Sequence, residues 1–448
     1  MSTVEHSTTA KMGRYRYFLL AVIFLLTVVN YADRAIISIA GPAISDEFGL
    51  TAIELGFIFS AFGWSYVIGQ LPGGWLLDRF GTKWVYAACV GIWSLFTLLQ
   101  GFVFGAAAVA LLFTLRLLVG LAEAPSFPAN SRVVSMWFPA QERGFAAAIF
   151  NSAQYLATVL FAPLMGWIVY TYGWREVFWL MGGIGIIAMF IWLKVFQTPH
   201  GHAAKSAENS REFDHILEGG ALVDIDETGD QQEKPSISWS AVKQLLTNRM
   251  LIGVYLAQYC IVTLTWFFLT WFPVYLVQER GFNILQAGFV AVLPALCGFF
   301  GGILGGIISD YLFRRTGSLT LARKTPIIIG MLLATTMIIC NYVDSPVLVV
   351  GLMTLAFFGK GLGALGWAVV TDTSPKELPG LNAGLFNTFG NIAGITTPIA
   401  IGYLVEMNDG SFTTALVFVA VNALVAIFSY LFLVGEIKRI KLQPDKAG

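Results

Sequence analysis

The sequence predicts an all-α membrane protein, with twelve transmembrane helices in two pseudo-symmetric six-helix bundles. Three observations carry this. The 448-residue chain is 56% hydrophobic and 12% charged, with a mean hydropathy of +0.71, whereas a soluble domain carries roughly 25% charged residues. Its apolar runs fall into six, a polar stretch, and six more. A short charged signature, Gly74-x-x-x-Asp78-Arg79, comes back after the eighth run as Gly306-x-x-x-Asp310, followed by Arg314 and Arg315. A duplicated six-helix unit is the mark of a carrier whose halves rock about a central site.

Residues 1 to 13 are polar. Each run that follows is long enough for one crossing at roughly 20 residues. The first six lie near 17–40, 53–77, 84–104, 107–128, 144–170 and 175–196. The second six lie near 248–276, 284–310, 325–342, 346–370, 380–405 and 412–434. This divides the chain into an N-terminal bundle (1–196), a hydrophilic linker (197–246) and a C-terminal bundle with a short tail (247–448). The first run is too long for a signal-peptide core and has no small-residue cleavage site, so it reads as a retained span. Bases gather in alternate short loops, among them Arg14, Arg79, Lys83, Arg132, Arg143, Arg314, Arg323 and Lys438, while Asp46, Glu47, Glu54, Asp344, Glu406 and Asp409 lie in the others. Positive loops stay in the cytoplasm, which places both termini and the linker there.

Composition also excludes functions. Lys plus Arg and Asp plus Glu both number 27, which offers nucleic acid no basic surface. Cys89, Cys260, Cys297 and Cys340 fall in apolar runs and read as small buried hydrophobes. His6, His200, His202 and His215 all lie outside the spans, and no H-E-x-x-H occurs. An intramembrane enzyme with a histidine base or metal is therefore disfavoured, and any proton carried through the membrane must ride on carboxylates.

The ionisable residues inside spans are few. Asn30-Tyr31-Ala32-Asp33-Arg34 interrupts the first apolar run, setting an acid beside a base where each charge costs a few kcal/mol at least. The plain alternative is an early helix end at the headgroups. Arg116 and Glu123 lie seven residues apart on the fourth span, on one face and about 10 Å apart along the axis. That leaves room for Asp33 between them, either as proton-coupling groups or as a structural ion pair. Arg34 suits a substrate carboxylate, because a guanidinium binds it bidentately and stays charged. Lys360 lies about 21 Å down its span, near the bilayer centre. Lys360 shares a face with Trp367, seven residues further on. Its other reading is a lysine paired with Glu123 or a carbonyl. Asp372 reads as a solvated or capping acid.

The signature Gly74, Asp78, Arg79, Gly81, Lys83 resembles that of the major facilitator superfamily, in which it forms a gate loop between the second and third helices. Asn30–Ala35, Phe59–Tyr66, Gly120–Pro128, Trp137-Phe138-Pro139 and Glu142-Arg143-Gly144 resemble its anion:cation symporter branch. Phe150–Tyr155 and Phe357–Trp367 are similar to bacterial glucarate/galactarate–proton symporters. The resemblance implies the major facilitator fold, a bacterial inner-membrane location, an organic anion as cargo and protons as the coupling ion, with no other cofactor and a monomeric state. Galactonate or a hexuronate is the rival cargo, and a sensor that kept the fold is a further rival. Tyr31, Tyr66, Gln154, Trp367 and Asn387 become candidate readers of cargo hydroxyls, with Gln258 and Asn391 behind them. The fifth span has Ala162-Pro163-Leu164-Met165-Gly166 in place of the Gly-Pro-rich motif of drug antiporters.

Overall fold

A computed structural model describes residues 13–226, 239–375 and 378–442. Twelve helices are long and apolar enough to cross a membrane. The N-terminal six are α1 (Tyr15–Phe48), α2 (Ala52–Gln70, continuing to Phe80), α3 (Thr82–Gln100), α4 (Ala108–Trp137), α5 (Arg143–Thr171) and α6 (Trp174–Val195). The C-terminal six are α7 (Arg249–Gln278), α8 (Ile284–Thr316), α9 (Leu319–Tyr342), α10 (Pro346–Thr373), α11 (Gly380–Glu406) and α12 (Thr413–Leu433). Every apolar run of the sequence becomes one of these helices, and no strand occurs among the described residues.

Local chemistry sets the boundaries. A capping box starts α2, with Thr51 and Glu54 each satisfying the other's backbone N–H. Gly81, at φ +75°, turns the chain between α2 and α3. Several spans are discontinuous. α4 breaks at Ala124-Pro125, α10 breaks at Gly363–Leu365, and α7 has a π-helical turn over Phe267–Trp271, just before Pro273. The proline ring and its missing N–H explain the α7 turn.

The linker is more structured than its polarity suggests. Pro199–Ala203 and Ala207–Glu218 are helices, the second capped by Ser206, and Trp239–Thr247 leads into α7. The first two lie against the N-terminal bundle.

The halves meet along α2 with α11 and along α5 with α8. The tightest crossings are at the end away from the linker. A Cβ on Gly56 would sit 2.6 Å from Pro398 O, and one on Gly288 would sit 2.6 Å from Ala162 O. Only glycine lets backbones approach so closely. Ala52 N also donates to Glu406 Oε2 at 2.9 Å across this junction. These contacts hold the two halves together at that end.

Candidate functional site

Asn30, Asp33 and Arg34 project from one face of α1, at i, i+3 and i+4. Asn30 and Asp33 are 2% exposed and Arg34 is 9% exposed, which places the group inside the bundle and rules out the headgroup alternative. On α4, Arg116 is also buried and Glu123 is fully so. Arg34 Nε donates to Glu123 Oε2 at 2.9 Å, and Asn30 Nδ2 donates to Glu123 Oε1. Both oxygens of Glu123 are thus held by α1. Asp33 Oδ2 accepts from Thr97 Oγ1 of α3 at 2.8 Å and lies in the field of Arg116. Arg34 bonds Glu123 directly, while Arg116 makes no ion pair within 4 Å among the described residues and acts at longer range on both Asp33 and Glu123. Two turns of helix are too long for Arg116 and Glu123 to meet directly.

Arg34 is held by rings as well as by charge. Its guanidinium carbon lies 4.7 Å from the ring centre of Phe62, 4.8 Å from Tyr66, 5.0 Å from Tyr31 and 5.7 Å from Phe127. Such a box fixes a planar cation without neutralising it. Arg34 Nη2 is buried and has no hydrogen-bond partner. Nε of Arg16, Arg116 and Arg175 is likewise buried without a hydrogen-bond partner, and what sets Arg34 apart is its place beside cavity-lining Tyr31.

Tyr31 connects this box to a central cavity of about 90 Å³. Both halves line it. Tyr31, Gln154, Tyr155 and Thr158 come from one half and Thr265 and Phe357 from the other, on mostly apolar walls. Lys360 of α10 is 7% exposed, with Nζ 5.1 Å above the ring of cavity-lining Phe357. Among the described residues no carboxylate lies within ion-pair distance of it, and Glu123 is already taken by Arg34. This weighs against the lysine–Glu123 pairing considered from sequence.

The idea that Lys360 and Trp367 share one helical face is corrected. α10 breaks between them, so seven-residue spacing no longer sets their relative direction. Trp367 is 52% exposed and packs on Phe386 at 5.0 Å. Tyr66 belongs to the Arg34 box, and Gln154 lines the cavity one turn beyond exposed Asn151. Asn387 Nδ2 reaches Gln70 Oε1 at 3.5 Å across the halves.

In the signature loop, Asp78 Oδ1 accepts from Arg132 Nη1 at 2.7 Å. Arg79 lies over Trp75 at 5.2 Å and Lys83 over Trp84 at 5.8 Å, with Gly81 supplying the turn. Gly74 leaves open space where a side chain would be. Asp372 is no free cap, because it accepts from Arg323 Nε at 2.7 Å. Sequence reasoning missed Thr97, Phe62, Phe127 and Asn30 as members of the site. Only Asn30 left a signal, one turn before Arg34 on the same face.

The Major Facilitator Superfamily profile matches residues 23–322. The chain is 59% identical over 447 residues to a protein of Escherichia coli K12 named a probable galactarate/D-glucarate transporter, covering 99% of this chain and 97% of that one. A Bacillus subtilis protein of the same description is 61% identical, covering 97% and 95%. A D-galactonate transporter of Escherichia coli O6:H1 is 42% identical, covering 96% and 98%. Among solved structures, a D-xylose-proton symporter superposes with a TM-score of 0.70 at 16% identity, covering 95% of this chain and 98% of that one.

Proposed function

The chain belongs to the Major Facilitator Superfamily, and from that premise we propose that it imports a sugar diacid, glucarate or galactarate, across the bacterial inner membrane together with protons. It is a transporter by family and not an enzyme. The observation that carries the reading is Arg34, boxed by aromatic rings beside the central cavity, with one edge on Glu123 and a buried Nη2 unpaired. The names of the similar proteins support the cargo class.

Coupling follows from competition. Ionised Glu123 occupies the Arg34 guanidinium. A cargo carboxylate needs the same guanidinium, and protonating Glu123 releases it. Proton and cargo therefore load together. Asp33, balanced by Arg116 and Thr97, is the second proton carrier. Moving a dianion inward costs about 2.3 kcal/mol per charge per 100 mV, so two protons per cargo remove the electrical penalty, in line with two carboxylates. Lys360, in the opposite half, takes the second carboxylate. Tyr31, Tyr66, Gln154, Trp367 and Asn387 read the hydroxyls, and a site built for hydroxyls rejects analogues that lack them. The termini and linker face the cytoplasm. Gly74, Asp78, Arg79, Gly81 and Lys83 form the gate loop, and the chain works as a monomer in the bilayer.

Radiolabelled glucarate uptake into vesicles, challenged with a panel of unlabelled acids, tests this reading. Glucarate and galactarate should compete strongly, and galactonate and hexuronates weakly. Stronger competition by a monoacid would move the cargo to that acid. Absence of all uptake would remove the transport reading.

A further inference from the structure

Each half carries, on the linker side, an arginine shared between its signature acid and a second carboxylate. In the C-terminal half the arginine is Arg323, at the start of α9. It bonds Asp372 at the end of α10 at 2.7 Å and Ser309 Oγ at 2.8 Å, and lies 3.9 Å from Asp310, the acid of the second signature. In the N-terminal half the arginine is Arg132, at the end of α4, which bonds the signature acid Asp78 at 2.7 Å. Its second acid belongs to neither bundle. It is Asp226 of the linker, 2.9 Å from Arg132 Nε.

Asp226 is fixed by more than this one bond. Its Oδ2 accepts from Thr82 N at 3.0 Å and its Oδ1 from Thr82 Oγ1 at 2.9 Å, which caps α3 directly after the signature Gly81. Arg132 Nη2 also donates to Ile225 O at 2.6 Å. The segment leading to Asp226 is bonded to the same bundle throughout. Leu222 N donates to Ser135 O at 2.9 Å, Arg143 Nη2 to Gly220 O at 2.6 Å, and Ala140 N to Gly219 O at 2.8 Å. Fully buried Glu212 accepts from Tyr15 N at 3.0 Å and Arg16 N at 3.1 Å. The two acids differ in their surroundings: the Asp226 side chain is 6% exposed and that of Asp78 is 44% exposed.

We propose that Asp226 is a positioning residue of the linker-side gate, holding Arg132 in competition with Asp78 so that Asp78 can let go of Arg132 when that end closes. The proposal rests on the transport reading, in which the linker end opens and closes. Asp226 is the anchored partner and Asp78 the exchangeable one. Without Asp226, Arg132 turns wholly to Asp78, closure costs more, and molecules accumulate with the linker end open.

The test uses the full chain in lipid nanodiscs, carrying Asn151→Cys on the exposed turn of α5 beside the cavity. The labelling rate by a polar maleimide, corrected for the chain without that cysteine, reports how far the linker end is open. Asp226→Asn should shift the open-to-closed ratio toward open by about tenfold, the scale of one charge-assisted hydrogen bond. It should also slow net glucarate uptake in vesicles, and Asp226→Glu should restore both. Unchanged labelling in folded Asp226→Asn overturns the proposal. If the Asn variant is lost to misfolding, Asp226→Glu, which keeps the acid, is read in its place, and labelling unlike the parent in that variant overturns the proposal. Labelling needs no cargo, so failure of the parent to take up glucarate would count against the cargo alone.

Discussion

Glu123 and Lys360 stand at matching places in the two halves, each in the last turn before the break in its span, α4 at Ala124-Pro125 and α10 at Gly363–Leu365. Broken helices are where carriers of this kind place their sites. The repeat has put an acid in one half and a base in the other. Both oxygens of the acid are engaged by α1, while the base lies over the ring of Phe357, a residue that lines the cavity. The acid competes for one end of a ligand, and the base is left for the other.

Lys360 should therefore select diacids. Lys360→Met is expected to raise the half-saturating glucarate concentration at least tenfold, the scale of one hydrogen bond to a charged group, while keeping or gaining uptake of a monocarboxylic sugar acid. Competition curves for glucarate and galactonate check this. A Met variant with unchanged affinity and selectivity would take Lys360 out of the site.

Arg34 should not tolerate replacement by lysine. The aromatic box and the Glu123 bond both use the flat, multi-donor guanidinium, which an ammonium cannot reproduce. Arg34→Lys keeps the charge yet should cost at least tenfold in apparent affinity, as expected for losing one bidentate edge. Equilibrium binding of labelled glucarate to the detergent-purified variant measures it. Parent-like binding would mean that charge alone matters at this position.

The linker helices should loosen in acid. The His202 ring stacks on Tyr15 at 4.1 Å, its Nδ1 bonds Gln197 Oε1 at 3.2 Å, and its Nε2 is buried without a partner. Burial holds its pKa below the ordinary imidazole value, with Glu212 opposing and Lys205 adding to the shift. The packed state therefore favours the neutral ring. Its contribution is complete above the free-imidazole value of about 6.5 and is lost as pH falls below that toward the lowered value. Limited proteolysis of the linker should be faster at acid than at neutral pH. His202→Phe, which keeps the stack but cannot protonate, should flatten the difference. An undiminished difference in that variant would shift the effect to His200 or His215.

The twelve spans were legible because hydropathy is written along the chain and needs no knowledge of contacts. The cluster of Asp33, Arg34, Arg116 and Glu123 was legible for a related reason: ionisable residues stand out in apolar runs. Which base meets which acid was not, because that depends on how α1 and α4 are rotated against each other. Trp367 was misplaced because the seven-residue spacing assumes an unbroken helix, and α10 breaks at Gly363–Leu365. Phe62, Phe127 and Thr97 gave no sign, since neutral residues of these types are common in any span. Arg132 read as one more loop base, and its two partners lie 54 and 94 residues away in the chain.

The central claim is that the Glu123 proton and the cargo contend for Arg34. It is tested most directly in proteoliposomes by comparing accumulation of labelled glucarate under an imposed inward proton gradient with glucarate–glucarate exchange at equal pH. The parent should do both. Glu123→Gln should exchange but not accumulate, and Asp33→Asn should lose accumulation likewise. If Glu123→Gln concentrates glucarate against its gradient as well as the parent does, the proton is carried elsewhere and the account fails.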